Sequence, residues 1–111
     1  MYNQGDILLI PLPFSDLTSN KKRPVLVLSN DKYNAITDDL IVVAVTSNIE
    51  NKYSEIKLTN NGMQAGSLKI DSCIRVDKIY TLSQDIVVKK FGRVKIEILN
   101  DVRLKLNQII S

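Results

Sequence analysis

Residue types on which many enzymes depend are missing or nearly missing from this 111-residue sequence, which contains no histidine and a single cysteine, Cys73. Without histidine the chain cannot build a serine–histidine or cysteine–histidine catalytic pair, a histidine zinc site or a two-histidine ribonuclease site. One cysteine cannot form an intrachain disulfide, and the apolar stretch around Cys73 favours a small core residue over a reactive thiol. Catalysis would therefore use Asp, Glu, Arg, Lys, Thr, Ser or Tyr.

Long apolar runs are also missing. None approaches the roughly 18 residues needed to cross a bilayer, and residues 1–6 lack the basic start and small-residue cleavage site of a signal peptide. We therefore expect a cytoplasmic protein that does not associate with membranes. Apolar residues make up 44% of the chain, which is enough for one compact core, so we expect a single domain over residues 1–111.

The net charge of +3 is small but unevenly distributed. Residues 1–55 hold five Lys/Arg and seven Asp/Glu, whereas residues 56–111 hold ten Lys/Arg and five Asp/Glu. A basic second half suits an anionic partner such as a nucleic acid. A solvated lysine-rich surface is the commoner explanation of such an excess, and charge alone does not decide between them.

The pattern along the chain predicts short strands followed by one helix. A four-residue apolar period predicts an amphipathic helix over residues 94–110, and residues 30–37 predict a short helix or turn. Polar, turn-forming residues predict a loop over 15–22 and a turn at 60–62. Strands are predicted at 7–10, 24–29, 40–46, 53–58 and 67–76, with shorter candidates at 80–82 and 86–88. The nearly continuous apolar runs at 24–29 and 40–46 are typical of strands covered on both faces. The economical architecture is a curled antiparallel sheet, closed or covered by the C-terminal helix.

The first candidate site is the basic run Lys21, Lys22 and Arg23, which precedes a predicted buried strand. Pro24 fixes the backbone there and favours an extended conformation for Arg23. A guanidinium at a rigid loop–strand junction suits bidentate phosphate binding. The alternative, favoured by spacing alone, is a solvated basic flank that protects a sheet edge.

The second candidate is the polar run Thr46, Ser47 and Asn48, where an apolar strand ends. Hydroxyl groups at a strand end can orient a phosphate or ribose. The alternative, equally weighted, is that they cap a turn.

The third candidate is the pair Arg75 and Asp77. Side chains two residues apart on a strand share a face, so this guanidinium and carboxylate would lie side by side. They could form an acid–base or electrostatic pair without histidine. The alternative is a surface salt bridge that contributes less than about 1 kcal/mol.

Read together, these motifs resemble the MazF/PemK family of toxin endoribonucleases over roughly residues 5–110. The resemblance rests on Gly-Asp-Ile at 5–7, Lys-Arg-Pro-Val-Leu-Val-Leu-Ser-Asn-Asp at 22–31, Asn34, Val-Ala-Val-Thr-Ser at 43–47, Asp-Ser-Cys-Ile-Arg-Val-Asp at 71–77 and Thr-Leu at 81–82. It implies an SH3-like barrel with a C-terminal helix, acting as a homodimer. The activity it implies is sequence-specific cleavage of single-stranded RNA without a metal or other cofactor.

The resemblance also implies partners and residue roles. An antitoxin with an extended acidic C-terminal segment would block the RNA groove, and operator DNA would be bound only by the toxin–antitoxin complex. The family's shared arginine and threonine fall on Arg23 and Thr46, and the arginine and aspartate of its PemK-like branch fall on Arg75 and Asp77. The loop at 15–22 lacks the histidine or glutamate found in relatives, and Asp16 can stand in for that acid.

Chemistry supplies a hypothesis for these roles. The RNA 2′-hydroxyl would attack the adjacent phosphorus, giving a 2′,3′-cyclic phosphate and a 5′-hydroxyl end. Asp77 would act as base, Arg75 would stabilise the developing oxyanion, Arg23 would hold the phosphate and Thr46 would orient it. Further RNA contacts are expected from the groove wall, formed by Leu17, Lys21, Lys22 and Ser47.

One alternative function remains open, a non-catalytic binding module of the same fold that acts on a protein target. Gyrase poisons of this fold present a C-terminal tryptophan. The chain has no tryptophan and ends in Gln108-Ile109-Ile110-Ser111, which counts against that target.

Overall fold

A computed structural model describes residues 1–11 and 21–111, so Leu17, Asp16 and nearly all of the predicted loop at 15–22 lie outside the described residues. The elements in chain order are β1 (Asp6–Pro11), β2 (Lys22–Val27), α1 (Asp31–Ile36), β3 (Asp39–Thr46), β4 (Glu55–Leu58), β5 (Met63–Ala65), β6 (Ser72–Ser83), β7 (Lys89–Val94) and α2 (Ile96–Ile110).

The strands form one seven-stranded sheet in the order β4-β6-β3-β2-β1-β7-β5. Every neighbouring pair is antiparallel, and β4 and β5 form the two edges of the curled sheet, which is a half-barrel. The C-terminal helix α2 packs against β6 and β4. A mainly β fold with one C-terminal helix is thus confirmed.

Apolar clusters cover both faces of the central strands. Ile7, Leu26 and Val43 belong to a cluster under α2, and their chain neighbours Leu8 and Val27 belong to a second cluster on the opposite face. Successive residues of a strand point to opposite faces. The prediction that the continuous apolar runs form strands covered on both faces is therefore confirmed.

Several elements differ from the prediction, among them β5 and β7, for which no strand was predicted. The segments predicted as separate strands at 67–76 and 80–82 belong to one long strand, β6, that begins at Ser72. The strand predicted at 86–88 is wrong. A 3₁₀ turn at Gln84–Ile86, begun by Ser83 accepting a hydrogen bond from the Asp85 N–H, ends the chain's extended path there. The strand β7 starts only afterwards and reaches Val94, so α2 begins two residues later than predicted.

The carboxylate of Asp6 is fully buried and joins β1 to β7. Its Oδ2 accepts a hydrogen bond from the Asn3 N–H at 2.8 Å. Its Oδ1 lies 3.2 Å from Lys90 Nζ and 3.2 Å from Arg93 Nη2, so ion pairs rather than well-aligned hydrogen bonds balance its charge. A buried carboxylate stays ionised only where such partners compensate its lost hydration.

We expect Asp6→Asn to lower the free energy of unfolding by about 2 kcal/mol, because a buried polar group loses its charge-assisted partners. Lys90→Gln is the control, since the half-exposed lysine should contribute less than about 1 kcal/mol. Urea unfolding measures both changes. Equal stability of Asp6→Asn and the wild type would contradict this account.

Candidate active site

Strand register brings residues from separate candidate motifs onto one face of the sheet. On β3 and β6, Ala44 lies opposite Arg75, and Thr46 lies opposite Cys73. Side chains of residues aligned across antiparallel strands point to the same face. Thr46 and Arg75 are therefore diagonal neighbours on that face.

Arg23 reaches the same face from β2. Val25 lies opposite Ala44, and Arg23, two residues earlier on the strand, shares the face of Val25. Continuing this register by two residues aligns Arg23 with Thr46. Because strands are spaced about 4.8 Å apart, Arg23 lies about 10 Å across the sheet from β6.

Arg75 and Asp77 form a bidentate ion pair, with Arg75 Nε 3.2 Å from Asp77 Oδ1 and Nη2 3.2 Å from Oδ2. The Arg75 side chain is only 11% exposed, whereas that of Asp77 is 38% exposed. The prediction of a side-by-side pair is confirmed in its geometry. Because so little of its side chain is exposed, Arg75 differs from the fully solvated member of an ordinary surface salt bridge.

The pair is charged at neutral pH. Hydrogen bonding from Arg75 holds the pKa of Asp77 below its usual range, and a hydrogen bond with Ser54 acts in the same direction against the opposing effect of burial. The same contact with Asp77 raises the pKa of Arg75. Arg75 Nη1 also lies 4.0 Å from Glu50 Oε1, so the guanidinium has a second, weaker anionic neighbour.

Arg23 and Thr46 line one cavity of about 320 Å³, together with Lys22 and Ser47. Within residues 1–11 and 21–111, Lys22 and Arg23 form no ion pair. Lys21 is exposed beside them. Of the expected RNA-contacting residues, Lys22 and Ser47 thus lie at this cavity, Lys21 is next to it, and Leu17 is outside the described residues.

The Thr46 hydroxyl accepts a hydrogen bond from the Asn48 N–H at 3.1 Å. The turn-capping interpretation of this residue is therefore present in the structure. The Thr46 hydroxyl can still donate a hydrogen bond to a ligand, because an oxygen that accepts one hydrogen bond keeps its own O–H group as a donor.

A second cavity, of about 250 Å³, lies beside Arg75 and contains residues that the sequence analysis missed. Its walls are formed by Ile49, Asn51, Lys52, Glu55, Lys57 and Cys73. Glu55 accepts hydrogen bonds from the Glu50 N–H at 3.2 Å and the Asn51 N–H at 3.0 Å. Although burial acts to raise the pKa of Glu55, these and other hydrogen bonds hold it below the usual value.

Cys73 is buried, as predicted for a core residue. Burial, and then hydrogen bonding with Glu55, raise the pKa of its thiol to about 11. A thiol with this pKa is protonated at neutral pH and is a poor nucleophile.

The described residues include neither a metal-binding cluster nor a membrane-spanning helix. In the part of the chain that the structure describes, no group of three or more Cys, Asp or Glu side chains is arranged to hold a metal ion. No helix within the described ranges is both long and apolar enough to span a membrane.

The sequence matches the model of a known protein family over nearly its whole length. Residues 3–110 match the model of the "PemK-like, MazF-like toxin of type II toxin-antitoxin system". The chain belongs to this family. No curated protein sequence matches it.

Solved structures of PemK/MazF toxins have the same fold. A MazE–MazF complex from Deinococcus radiodurans is similar with a TM-score of 0.79 and 22% identity, over 98% of this chain and 95% of that one. A second, MazF from the same organism, has a TM-score of 0.77 and 22% identity, with 98% and 96% covered. An endoribonuclease in complex with its cognate antitoxin, from a mycobacterial species, has a TM-score of 0.75 and 19% identity, with 97% and 93% covered. At these identities the likeness establishes the fold, and it confirms the predicted fold class.

For this PemK/MazF toxin, the ionised Arg75–Asp77 pair has a consequence for acid stability. The pKa of Asp77 is lower in the folded chain than in the unfolded chain, so the unfolded state binds more protons as the pH falls. The pair therefore contributes stability above the ordinary carboxyl pKa of about 4, and this contribution is lost as the pH falls through the folded value.

We expect Asp77→Asn to be less stable than the wild type at pH 7, by under about 1 kcal/mol because Asp77 is partly exposed. The difference should shrink as the pH is lowered towards 3. Urea unfolding at pH 7, 5 and 3 measures it, with Asp85→Asn as a control at an exposed carboxylate. A difference that grows on acidification would contradict this assignment.

Proposed function

We propose that this chain is the toxin of a toxin–antitoxin pair and that it cleaves single-stranded RNA on the face formed by β2, β3 and β6. The observation that supports this best is the bidentate Arg75–Asp77 pair on the same face as Arg23, which forms no ion pair with any residue that the structure describes. Two positive groups and a hydroxyl there can bind a phosphodiester. The family assignment and the fold neighbours agree with this reading.

In the proposed reaction the RNA supplies its own nucleophile. The 2′-oxygen loses its proton and forms a bond to the adjacent phosphorus, while the bond from phosphorus to the 5′-oxygen breaks. The products are a 2′,3′-cyclic phosphate and a 5′-hydroxyl, whose oxygen takes a proton from solvent. The negative charge that develops on the phosphoryl oxygens is the point at which fixed cations lower the barrier.

Arg75 is assigned the role of stabilising the negative charge that develops on the phosphoryl oxygens. An arginine with a raised pKa is a poor proton donor, so its role is electrostatic. Because Asp77 holds the guanidinium through two nitrogens, the orientation of Arg75 is set before the substrate arrives. Preorganised donors of this kind need little rearrangement during the reaction.

Asp77 is assigned as proton acceptor for the 2′-hydroxyl as well as the group that orients Arg75. Its lowered pKa keeps it ionised, which is the protonation state a base requires. The same low pKa makes it a weak base. Most of the rate enhancement should therefore come from Arg75, and Arg23 and Thr46 would hold and orient the phosphate.

The antitoxin proposed for this toxin has an extended acidic segment. The neighbouring structures include MazE–MazF and an endoribonuclease with its cognate antitoxin. In this chain Lys22 and Arg23, which form no ion pair within residues 1–11 and 21–111, offer an anionic peptide the same charges that they offer RNA. A peptide bound there would exclude the substrate, and operator DNA would be bound only by the resulting complex.

We also propose that the toxin is a homodimer. Ile79 and Ile110 are 42% and 70% exposed, respectively. They line a cavity of about 480 Å³ between β3, β6 and the end of α2. Contiguous exposed apolar residues of this kind are typical of subunit contacts.

Replacing residues of the proposed site should slow cleavage without unfolding the protein. We expect Arg75→Ala to lower kcat/KM by about 100- to 1000-fold, as for loss of a preorganised donor. We expect kcat/KM to fall by at least about tenfold in each of three further variants, Arg23→Ala, Thr46→Val and Asp77→Asn. A tenfold loss corresponds to one lost hydrogen bond, charged or neutral. The rate is measured on labelled single-stranded RNA in the presence of EDTA.

The matched control is Lys32→Ala, since this exposed lysine lies on α1 at the opposite ends of β2 and β3 from Arg23 and Thr46. Wild-type rates in all four site variants would refute the assignment. Growth arrest on induction with intact RNA would instead indicate the non-catalytic alternative, a module that acts on a protein target.

The pH dependence of cleavage tests the role of Asp77. Because its pKa is held below the usual carboxyl range, we expect kcat/KM to stay level from pH 8 to pH 5 and to fall only under more acidic conditions. Asp77→Asn should remove the acid limb. Initial rates across the pH range measure it, with folding at each pH followed by circular dichroism. An acid limb near pH 6 or 7 would assign the base to another group.

A further inference from the structure

The register of β4 extends the active-site face by one strand. Lys57 lies opposite Cys73, and Cys73 lies opposite Thr46 on the other side. Lys57, Cys73 and Thr46 therefore form one row across β4, β6 and β3. Continuation of the β2 register adds Arg23, so the row has a cation at each end.

Glu50 and Asp77, two of the carboxylates near Lys57, are paired with other cations. Glu50 lies 3.2 Å from Lys52 Nζ, and Asp77 is paired with Arg75. Glu55 accepts backbone N–H groups of the preceding loop. Lys57 is exposed, and its side chain has no ion pair or hydrogen bond to any residue of the described ranges. Its ammonium is thus available to an external anion.

We propose that Lys57 binds a second phosphate of the same RNA strand, which crosses β2, β3, β6 and β4 along this row. The inference rests on the proposed function and adds a substrate-positioning residue to it. Arg23 and Lys57 are separated by three strand spacings, about 14 Å. One phosphate cannot contact both cations, so a substrate that uses the whole row spans more than one phosphodiester.

The cavity of about 250 Å³ beside Lys57 provides space for the RNA strand on β4. Cys73 and Glu55 form part of its wall, and both are held by hydrogen bonds to their surroundings. A sugar or base attached to the phosphate on Lys57 can enter this space. The fixed Glu55 carboxylate repels phosphate, which keeps the backbone on the Lys57 side of the cavity.

A different role for Lys57 is also common in proteins. The strand β4 is a sheet edge, and an exposed lysine on an edge strand discourages pairing with other chains. Such a lysine would have no effect on RNA affinity beyond a general charge effect. The two roles therefore predict different salt dependences of binding.

The test uses Lys57→Gln in the full chain and a single-stranded oligonucleotide with a 2′-deoxy linkage at the cleavage position, which cannot be cleaved. Fluorescence anisotropy gives the affinity between 50 and 300 mM salt. For single strands each phosphate contact contributes about 0.7 to the slope of log affinity against log salt. We expect the slope to fall by about 0.7 in Lys57→Gln. At 0.1 M salt we expect its affinity to be about one fifth of the wild-type affinity, because 0.1 raised to the power 0.7 is about 0.2.

Lys32→Gln is the matched control, because it removes the same charge far from the row and should leave the slope unchanged. Kinetics give a second readout. Lys57→Gln should lower kcat/KM on a long oligonucleotide by a similar factor, and should act like the wild type on a dinucleotide, which has a single phosphate.

The outcomes separate this inference from the proposed function. A wild type that cleaves RNA, with Lys57→Gln equal to Lys32→Gln in salt slope, would overturn the role of Lys57 alone. Binding with the expected loss of slope, but without cleavage, would support the role of Lys57 and refute the nuclease. A wild type that neither binds nor cleaves RNA would overturn both.

Discussion

The pairing of β6 with β3 is the constraint on which the active-site face depends. The register changes between Val43 and Ala44, so that Val43 lies opposite Ile79 whereas Ala44 lies opposite Arg75. Residues 76–78 of β6 are left without partners on β3, and the Val76 N–H donates to the Ser54 carbonyl instead. Irregularities of this kind change where a strand aims its side chains. Here the irregularity falls within the segment that holds Arg75 and Asp77.

The elements that the sequence predicted well are those with a strong local signal. β1, β2 and β3 are nearly continuous apolar runs, and α2 keeps a four-residue apolar period. β5 and β7 were missed because their signal is not local. β5 spans only Met63–Ala65, and β7 begins with two lysines. A Cβ on Gly92 of β7 would lie 2.6 Å from the Ala65 carbonyl oxygen, so the close approach of these strands determines the residue.

The same distinction applies to the active-site face. The proximity of Arg75 and Asp77 follows from the two-residue period of one strand and could be predicted. Lys57 and Glu55 have the same spacing on β4, but nothing local indicates that β4 pairs with the Cys73–Arg75 part of β6. Cross-strand register is a property of the folded sheet. A single sequence gives no direct measure of it.

The electrostatics of the Lys57–Cys73–Thr46–Arg23 row suit a polyanion. Thr46 is a neutral hydroxyl, and Cys73 is a neutral thiol, whose pKa burial and Glu55 raise still further, to about 11. Had the thiol been ionised, a negative charge would lie midway between the two cations and repel the phosphate backbone. The carboxylate of Glu55, which adds to the effect of burial on the thiol, is itself held by backbone N–H groups. The middle of the row is thus uncharged, and Lys57 and Arg23, which form no ion pair with any described residue, lie at its two ends.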